Sequence, residues 1–278
     1  MRVIDAWVNA AMPRTPAAWQ VDVAENVFKR SVDSIFRTFS AEELIDQMDE
    51  AEVQLAVLTL QADRPSKAIL GYAEKHPARF AYSVLVDPSR GMKAVRQLEA
   101  LARSHDVKLA RVIPCLHDAA PNDRMYYPLY AKCIELGLPI SVNTGIPGPA
   151  LPARHQDPIH LDDVCLFFSE LKVMMANGAD PWWDVAIRLM KRFDNLYLMT
   201  SAFAPHYLPP SLLQYMNARG GHKVMFATDF PFLTMSRCAS EARALGLHEL
   251  ALSNYLHANA ERVLFSRADS STSPTAGS

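Results

Sequence analysis

Eight short apolar runs, separated by stretches of helical periodicity, constrain this 278-residue chain more than any single motif does. The runs fall at 2–8, 53–60, 79–86, 107–113, 138–143, 171–176, 195–200 and 222–228. They are rich in Val, Ile, Leu and Met throughout rather than alternating with polar residues. That pattern belongs to parallel strands buried on both faces. Their starts lie roughly 24 to 33 residues apart, except for a gap of about 51 after the first. Helical patterns fill the intervals at 40–50, 66–76, 89–104, 126–136, 161–170, 181–193, 210–218 and 234–245. Ser40 precedes Glu43 at capping-box spacing, and Pro181 and Pro210 suit first-turn positions. Eight such units predict an α/β fold closed as a (β/α)8 TIM barrel, with a doubly wound open sheet as the competing arrangement.

The barrel is expected to form one domain over 1–265. The segment 10–39, between the first strand and the first helix, is too long for an ordinary loop and carries Trp19 and Phe28. Such insertions serve as lids or interfaces. The tail 266–278 (SRADSSTSPTAGS) is small and polar and reads as disordered. A formal net charge of −2 gives no electrostatic footprint for nucleic acid or an anionic membrane. No run approaches the ~20 apolar residues of a membrane span, and the start has no signal-peptide layout. The four cysteines, at 115, 133, 165 and 238, show no zinc-ribbon spacing. These features predict a cytoplasmic protein with reduced thiols whose partner is a small molecule, and a homodimer is the expected assembly.

In a barrel the chemistry sits where the strands end, at the C-terminal face. The residues there are Asp5, Trp7, Asn9, Gln61, Asp87, Arg111, Asn143, Thr144, Asn177, Thr200, Ser201 and Asp229. Around them run several short matching pieces: Val3-Ile4-Asp5, Met48-Asp49-Glu50-Ala51, His76-Pro77-Ala78-Arg79-Phe80, Tyr127-Pro128-Leu129-Tyr130, Gly137-Leu138-Pro139-Ile140, Asn195-Leu196-Tyr197-Leu198, Phe226-Ala227-Thr228-Asp229-Phe230-Pro231 and Asn259-Ala260. In this order the sequence resembles the amidohydrolase-related family, metal-dependent hydrolases and aromatic-acid decarboxylases on a (β/α)8 barrel. The resemblance implies a metal held by a His-x-His or Glu-x-His pair on strand 1, a His on strand 5, often a His on strand 6, and an Asp on strand 8. The matching positions here hold Trp7 and Asn9, Asn143, Asn177 and Asp229. Neutral amides are poor ligands for transition metals, so no metal and no other cofactor is expected.

Asparagine keeps donors and acceptors without titrating, and three of the four histidine positions carry it. That points to a site kept polar for a ligand, against the alternative that the amides only satisfy buried backbone groups. Without a cation beside it, a buried Asp229 takes a raised pKa, suited to acid/base work near neutrality. Asp5 assists if it faces the interior, and His206 is placed near the mouth. Arg111, the charge in an apolar strand, needs a carboxylate partner from the protein or from a substrate. Trp7, Trp182 and Ser201 complete the candidate ligand contacts. A Cys115–His117 pair, a Ser201–His206 pair and a metal cluster at His155 and His160 are weaker options. The combined expectation is a metal-independent enzyme performing hydrolysis or C–C cleavage, decarboxylase-like, on a small cyclic or aromatic carboxylic acid. A cofactor-free cyclase, dehydratase or isomerase and a non-catalytic small-molecule-binding descendant remain open at this point.

Overall fold

A computed structural model describes residues 1–266; the rest of the tail expected to be disordered lies outside the described residues. All eight apolar runs are strands: β1 Val3–Val8, β2 Val53–Gln61, β3 Phe80–Leu85, β4 Val107–Val112, β5 Ile140–Asn143, β6 Val173–Ala176, β7 Leu196–Met199 and β8 Val224–Met225. They pair in sequence order, every pair parallel. The ring closes between the last strand and the first. The amide of Ala6 donates to Phe226 O, that of Asp229 to Trp7 O and that of Asn9 to Phe230 O. A doubly wound sheet, with two open edges, is therefore excluded.

Eight helices cover the strands: α1 Ala41–Glu50, α2 Lys67–Lys75, α3 Met92–Ser104, α4 Tyr127–Glu135, α5 Leu161–Phe167, α6 Trp183–Arg192, α7 Pro210–Asn217 and α8 Met235–Arg243. The capping box forms at α1, where Ser40 Oγ accepts from the Glu43 amide at 3.1 Å and Glu43 Oε2 accepts from the Ser40 amide at 2.7 Å. Pro210 opens α7 as expected. Pro181 does not open α6, which begins at Trp183 with Trp182 as its cap.

Apolar residues form two layers. Outward side chains such as Val3, Val84, Val112 and Phe226 pack under the helices. Inward ones such as Ile4, Ala6, Val57, Leu109, Met174, Met199, Met225 and Ala227 fill the barrel. A helical stretch beyond α8, Glu249–Phe265, brings Ala260, Val263 and Leu264 against that inner layer. It packs near the strand starts, so the barrel is closed at its N-terminal end.

The 10–39 segment is partly helical, at Ala18–Val27 and Val32–Ile35. It lies at the C-terminal face: Phe28 packs on Phe232, just past β8, with ring centroids 5.1 Å apart. Val27 reaches Gly148 in the loop after β5. Among the described residues no helix is long and apolar enough to cross a membrane.

Candidate functional site

The site is assembled from strand ends whose side chains face the interior by pleat alternation. On β4, Leu109 and Arg111 point inward; on β5, Ser141 and Asn143; beyond β8, Ala227 and Asp229. Strand β1 departs from simple alternation. Its register against β2 shifts between Asp5 and Val8, a bulge that leaves Ala6 and Trp7 both in the inner layer. Asp5 is consequently turned the other way.

That turn decides what Asp5 does. Its carboxylate accepts from the Thr228 amide at 2.9 Å, the Thr228 hydroxyl at 2.6 Å and the Trp7 amide at 3.1 Å. Thr228 alternates with the inward Ala227 and Asp229. Burial, and after it the Asp5 charge, pushes up the thiol pKa of Cys238, on α8 in the outer layer. Asp5 therefore ties β1 to β8 from outside the barrel and does not present itself to a ligand. Burial raises its pKa to about 6, against the three hydrogen bonds and Arg111, which lower it.

Inside the barrel three of the expected residues form one chain. The Trp7 indole Nε1 donates to Asn9 Oδ1 at 3.0 Å, and Asn9 Nδ2 donates to Asp229 Oδ1 at 2.7 Å and to Phe230 O at 3.0 Å. Asp229 adopts φ 62°, a left-handed conformation that aspartate tolerates better than most residues. Its Oδ2 receives no hydrogen bond from the described residues. Desolvation lifts its pKa to about 7; the Asn9 bond and the Arg111 charge pull it down, while Asp5 adds to the rise.

Arg111 is fully buried. Its Nε donates to Ser83 Oγ at 2.7 Å and its Nη2 to Ala6 O at 2.5 Å, and its guanidinium stacks on the Trp7 ring 3.8 Å away. Nη1 has no partner among the described residues. Desolvation brings its pKa down to about 9, opposed by Asp229 and Asp5. The expected carboxylate partner is thus not in direct contact; a hydroxyl, a carbonyl and an indole face take its place. Burial of a guanidinium on these terms is costly.

The other candidates separate from this group. Asn177 and Ser201 bond each other: the Ser201 hydroxyl donates to Asn177 Oδ1 at 2.8 Å and accepts from the Asn177 amide at 3.0 Å. Thr144 ties the neighbouring turn down, its hydroxyl donating to Gly178 O at 2.6 Å. Asn143 is buried with Oδ1 unpartnered. Trp182 is half-buried at the cap of α6. His206 stands apart: its Nδ1 pairs with Glu241 of α8 at 2.9 Å, with 46% of its side chain exposed. Ser201 and His206 do not pair, and His117 faces Asp87 at 3.4 Å rather than Cys115. Burial pushes the Cys115 thiol up to about 11, which removes thiolate character. His155 bonds Asp118, and His160 bonds the Arg154 carbonyl.

Ser83, Ser141, Thr59 and Thr228 were not expected at the site. Ser83 and Thr59 are small hydroxyl residues flanked by apolar ones, which is the signal that could have found them, and Ser141 and Thr228 lie within two residues of the expected Asn143 and Asp229. Thr59 pairs with Ser83 in register, and Arg111 with Ser141.

These residues do not fit a transition metal. Around Asp229 the groups that would coordinate are an indole, which offers no lone pair, and neutral amides. Among the described residues no three His, Cys, Asp or Glu side chains are grouped to hold a metal ion. A guanidinium already occupies the space beneath Trp7.

The family model described as Amidohydrolase matches residues 4–265. No curated protein sequence matches the chain. Among solved structures, an uncharacterised TIM-barrel protein from Bordetella bronchiseptica superposes with a TM-score of 0.76 at 21% identity, covering 95% of this chain and 98% of that one. A 5-carboxyvanillate decarboxylase from Novosphingobium aromaticivorans, complexed with manganese and a nitrobenzoic acid, gives 0.70 at 14% identity, covering 94% and 95%. A 4-oxalomesaconate hydratase from Rhodopseudomonas palustris gives 0.62 at 16% identity, with the same coverage. At these identities the structural likeness is one of fold.

Proposed function

The chain belongs to the amidohydrolase family, and from that premise we propose that it is a metal-independent lyase or hydrolase acting on a small cyclic or aromatic carboxylic acid. Family membership and neighbours that include a decarboxylase and a hydratase support the reaction class. The observation that carries the metal-free part is the chain Trp7–Asn9–Asp229 standing where the family places ligands.

Asp229 is the group for proton transfer. One carboxyl oxygen is fixed by Asn9, the other takes no hydrogen bond from the described residues, and burial holds its pKa at about 7, so that it both donates and accepts near neutrality. Arg111 is the anchor for the substrate carboxylate, and Asn143, at the end of the neighbouring strand β5, supplies an amide. An amide array stabilises a developing oxyanion less than a metal ion does, so the substrate carries its own activation, as in a lactone, an enol ester or a β-keto acid. Asp5 and His206 have no part in this reading. The 10–39 segment acts as a lid through Phe28.

A second reading, a non-catalytic binder, draws on the enclosure of Arg111 beneath Trp7. The two separate with Asp229→Asn: an enzyme loses turnover and keeps its ligand, whereas a binder keeps both ligand and biological effect. The first measurement is metal content by elemental mass spectrometry on untagged protein purified without chelators. Substoichiometric metal, and turnover of an activated cyclic acid that survives chelator dialysis, is the expected result. One zinc, manganese or iron per chain would overturn the metal-independent assignment.

A further inference from the structure

Arg111 is assigned a ligand, yet its guanidinium is shut in. Nη1 is enclosed and has no partner among the described residues, and Ser141 Oγ and Asn143 Oδ1 on the neighbouring strand share that condition. Arg111 and Ser141 are register partners across β4 and β5, and Ser141 and Asn143 lie two residues apart on one face of β5. The three residues are therefore neighbours on one wall of the barrel. A buried unpaired polar atom costs ~1–3 kcal/mol, and a charged one more. Three such atoms on neighbouring residues mark a place where the described residues do not supply the hydrogen-bond partner.

The indole of Trp7 lies against this wall. It stacks on Arg111 at 3.8 Å and is itself 5% exposed. Its one side-chain hydrogen bond among the described residues is the 3.0 Å contact from Nε1 to Asn9.

We propose that Arg111, Ser141 and Asn143 form a latent subsite for the carboxylate of a 2-hydroxy acid, and that Trp7 is the plug which moves aside when the acid enters. The subsite rests on the assignment of Arg111 as the carboxylate anchor. The acid's oxygens accept from Nη1 and from the Ser141 hydroxyl, and the neighbouring hydroxyl donates to Asn143 Oδ1. Each orphaned group gains a partner. The indole gives up its stack on the guanidinium and its bond to Asn9, while Asn9 stays on Asp229.

The probes are glycolate and acetate, titrated into the full chain at constant ionic strength and followed by tryptophan fluorescence and calorimetry. Wild type is expected to show a saturable fluorescence change, with glycolate several-fold tighter than acetate. Trp7→Phe keeps an aromatic plug but lacks the Nε1 donor. It is expected to bind glycolate about fivefold tighter, the worth of one ordinary hydrogen bond, and to lose the fluorescence change. Ser141→Ala is expected to bind about fivefold more weakly. Equal or weaker binding by Trp7→Phe, a fluorescence change that survives that substitution, or no saturable binding by wild type or Trp7→Phe would overturn the proposal. Arg111→Met separates it from its premise. If that variant binds glycolate as wild type does, the anchor assignment itself falls. If it loses binding while Trp7→Phe binds no tighter than wild type, the proposal falls and the anchor assignment stands.

Discussion

Replacing Asp229 with Asn tests the electrostatics of the site through stability alone, without knowledge of the substrate. The carboxyl goes from its ordinary pKa of 3.8 to about 7 on folding. At ~1.4 kcal/mol per pH unit, that is ~4 kcal/mol of proton linkage as an upper figure. The folded pKa is raised, so the native state binds the proton more tightly than the unfolded chain. The stabilisation from that proton is complete below pH ~4 and lost as pH rises through ~7. Asparagine is close to isosteric and can turn its carbonyl towards Asn9, which keeps the 2.7 Å hydrogen bond while removing the titration. The wild-type carboxyl carries its charge only above pH ~7, and its attraction to Arg111 is already contained in that folded value. The informative quantity is therefore the change in the wild type–variant difference between pH 4 and pH 8. At about 2 °C per kcal/mol for a domain of this size, the melting temperature of Asp229→Asn should gain on wild type by about 8 °C across that window. Differential scanning calorimetry in matched buffers measures it. Parallel pH profiles for the two proteins would show that Asp229 stays ionised in the fold, and would remove the basis for giving it a proton to transfer.

Three further outcomes follow from contacts elsewhere in the site. Thr228→Val strands both Asp5 Oδ2 and the Phe230 amide, which its hydroxyl serves at 2.6 and 2.9 Å; urea unfolding should show a loss of ~2–4 kcal/mol, and a loss under ~1 kcal/mol would mean that Asp5 does not hold the β1–β8 seam. Gly178→Ala puts a Cβ 2.5 Å from Trp183 Cη2 at φ +70°, so thermal melting should show a loss of ~2–3 kcal/mol, with wild-type stability refuting the packing of that turn. Placing histidine at 7, 9, 143 and 177 together should fail to create a tight zinc site while Arg111 remains, because a dication about 4 Å from a guanidinium is opposed by roughly 8 kcal/mol at an effective dielectric of ~20; calorimetry should find zinc binding only after Arg111→Met is added, and submicromolar binding by the four-histidine protein would refute the argument.

The barrel was legible because burial on both faces writes an unambiguous apolar run for each strand, and eight such runs at near-even spacing leave little else to build. The last helical stretch, Glu249–Phe265, was not. Its buried residues Tyr255, Leu256, Ala260, Val263 and Leu264 recur at ordinary helical spacing, but the stretch follows the eighth strand–helix unit with no strand after it, so the alternation that frames the other helices does not mark it. Arg111 announced itself as a charge amid apolar neighbours, and Asp229 through the family's text. Asp5 was unresolved for a physical reason. A bulge shifts the face of every later residue, and the apolar residues Ile4, Ala6 and Trp7 on either side of it carry no mark of where the extra residue sits. The contacts of Arg111 were equally hidden, since Ser83 stands on the adjacent strand β3 and the Ala6 carbonyl on β1 across the barrel, neighbours through the closed fold rather than through sequence.

Trp7 and Asn9 are best understood as one arrangement coupled to Arg111 and Asp229. A buried carboxylate at Asp229 requires either a cation or a proton, and a metal ion and Arg111 are competing ways of supplying the first. With the guanidinium stacked under Trp7 and sharing its field between Asp229 and Asp5, positive charge already stands inside the barrel, and a dication added beside it would be repelled. An indole at position 7 shields that charge, and it needs an acceptor for Nε1. Asn9 provides one while its other end serves Asp229. Restoring a histidine at position 9 alone would leave one nitrogen donor beside Asp229, a lost partner for the indole and no metal to compensate. Trp7, Asn9, Asp229 and Arg111 are thus held by one another's requirements and form a consistent set.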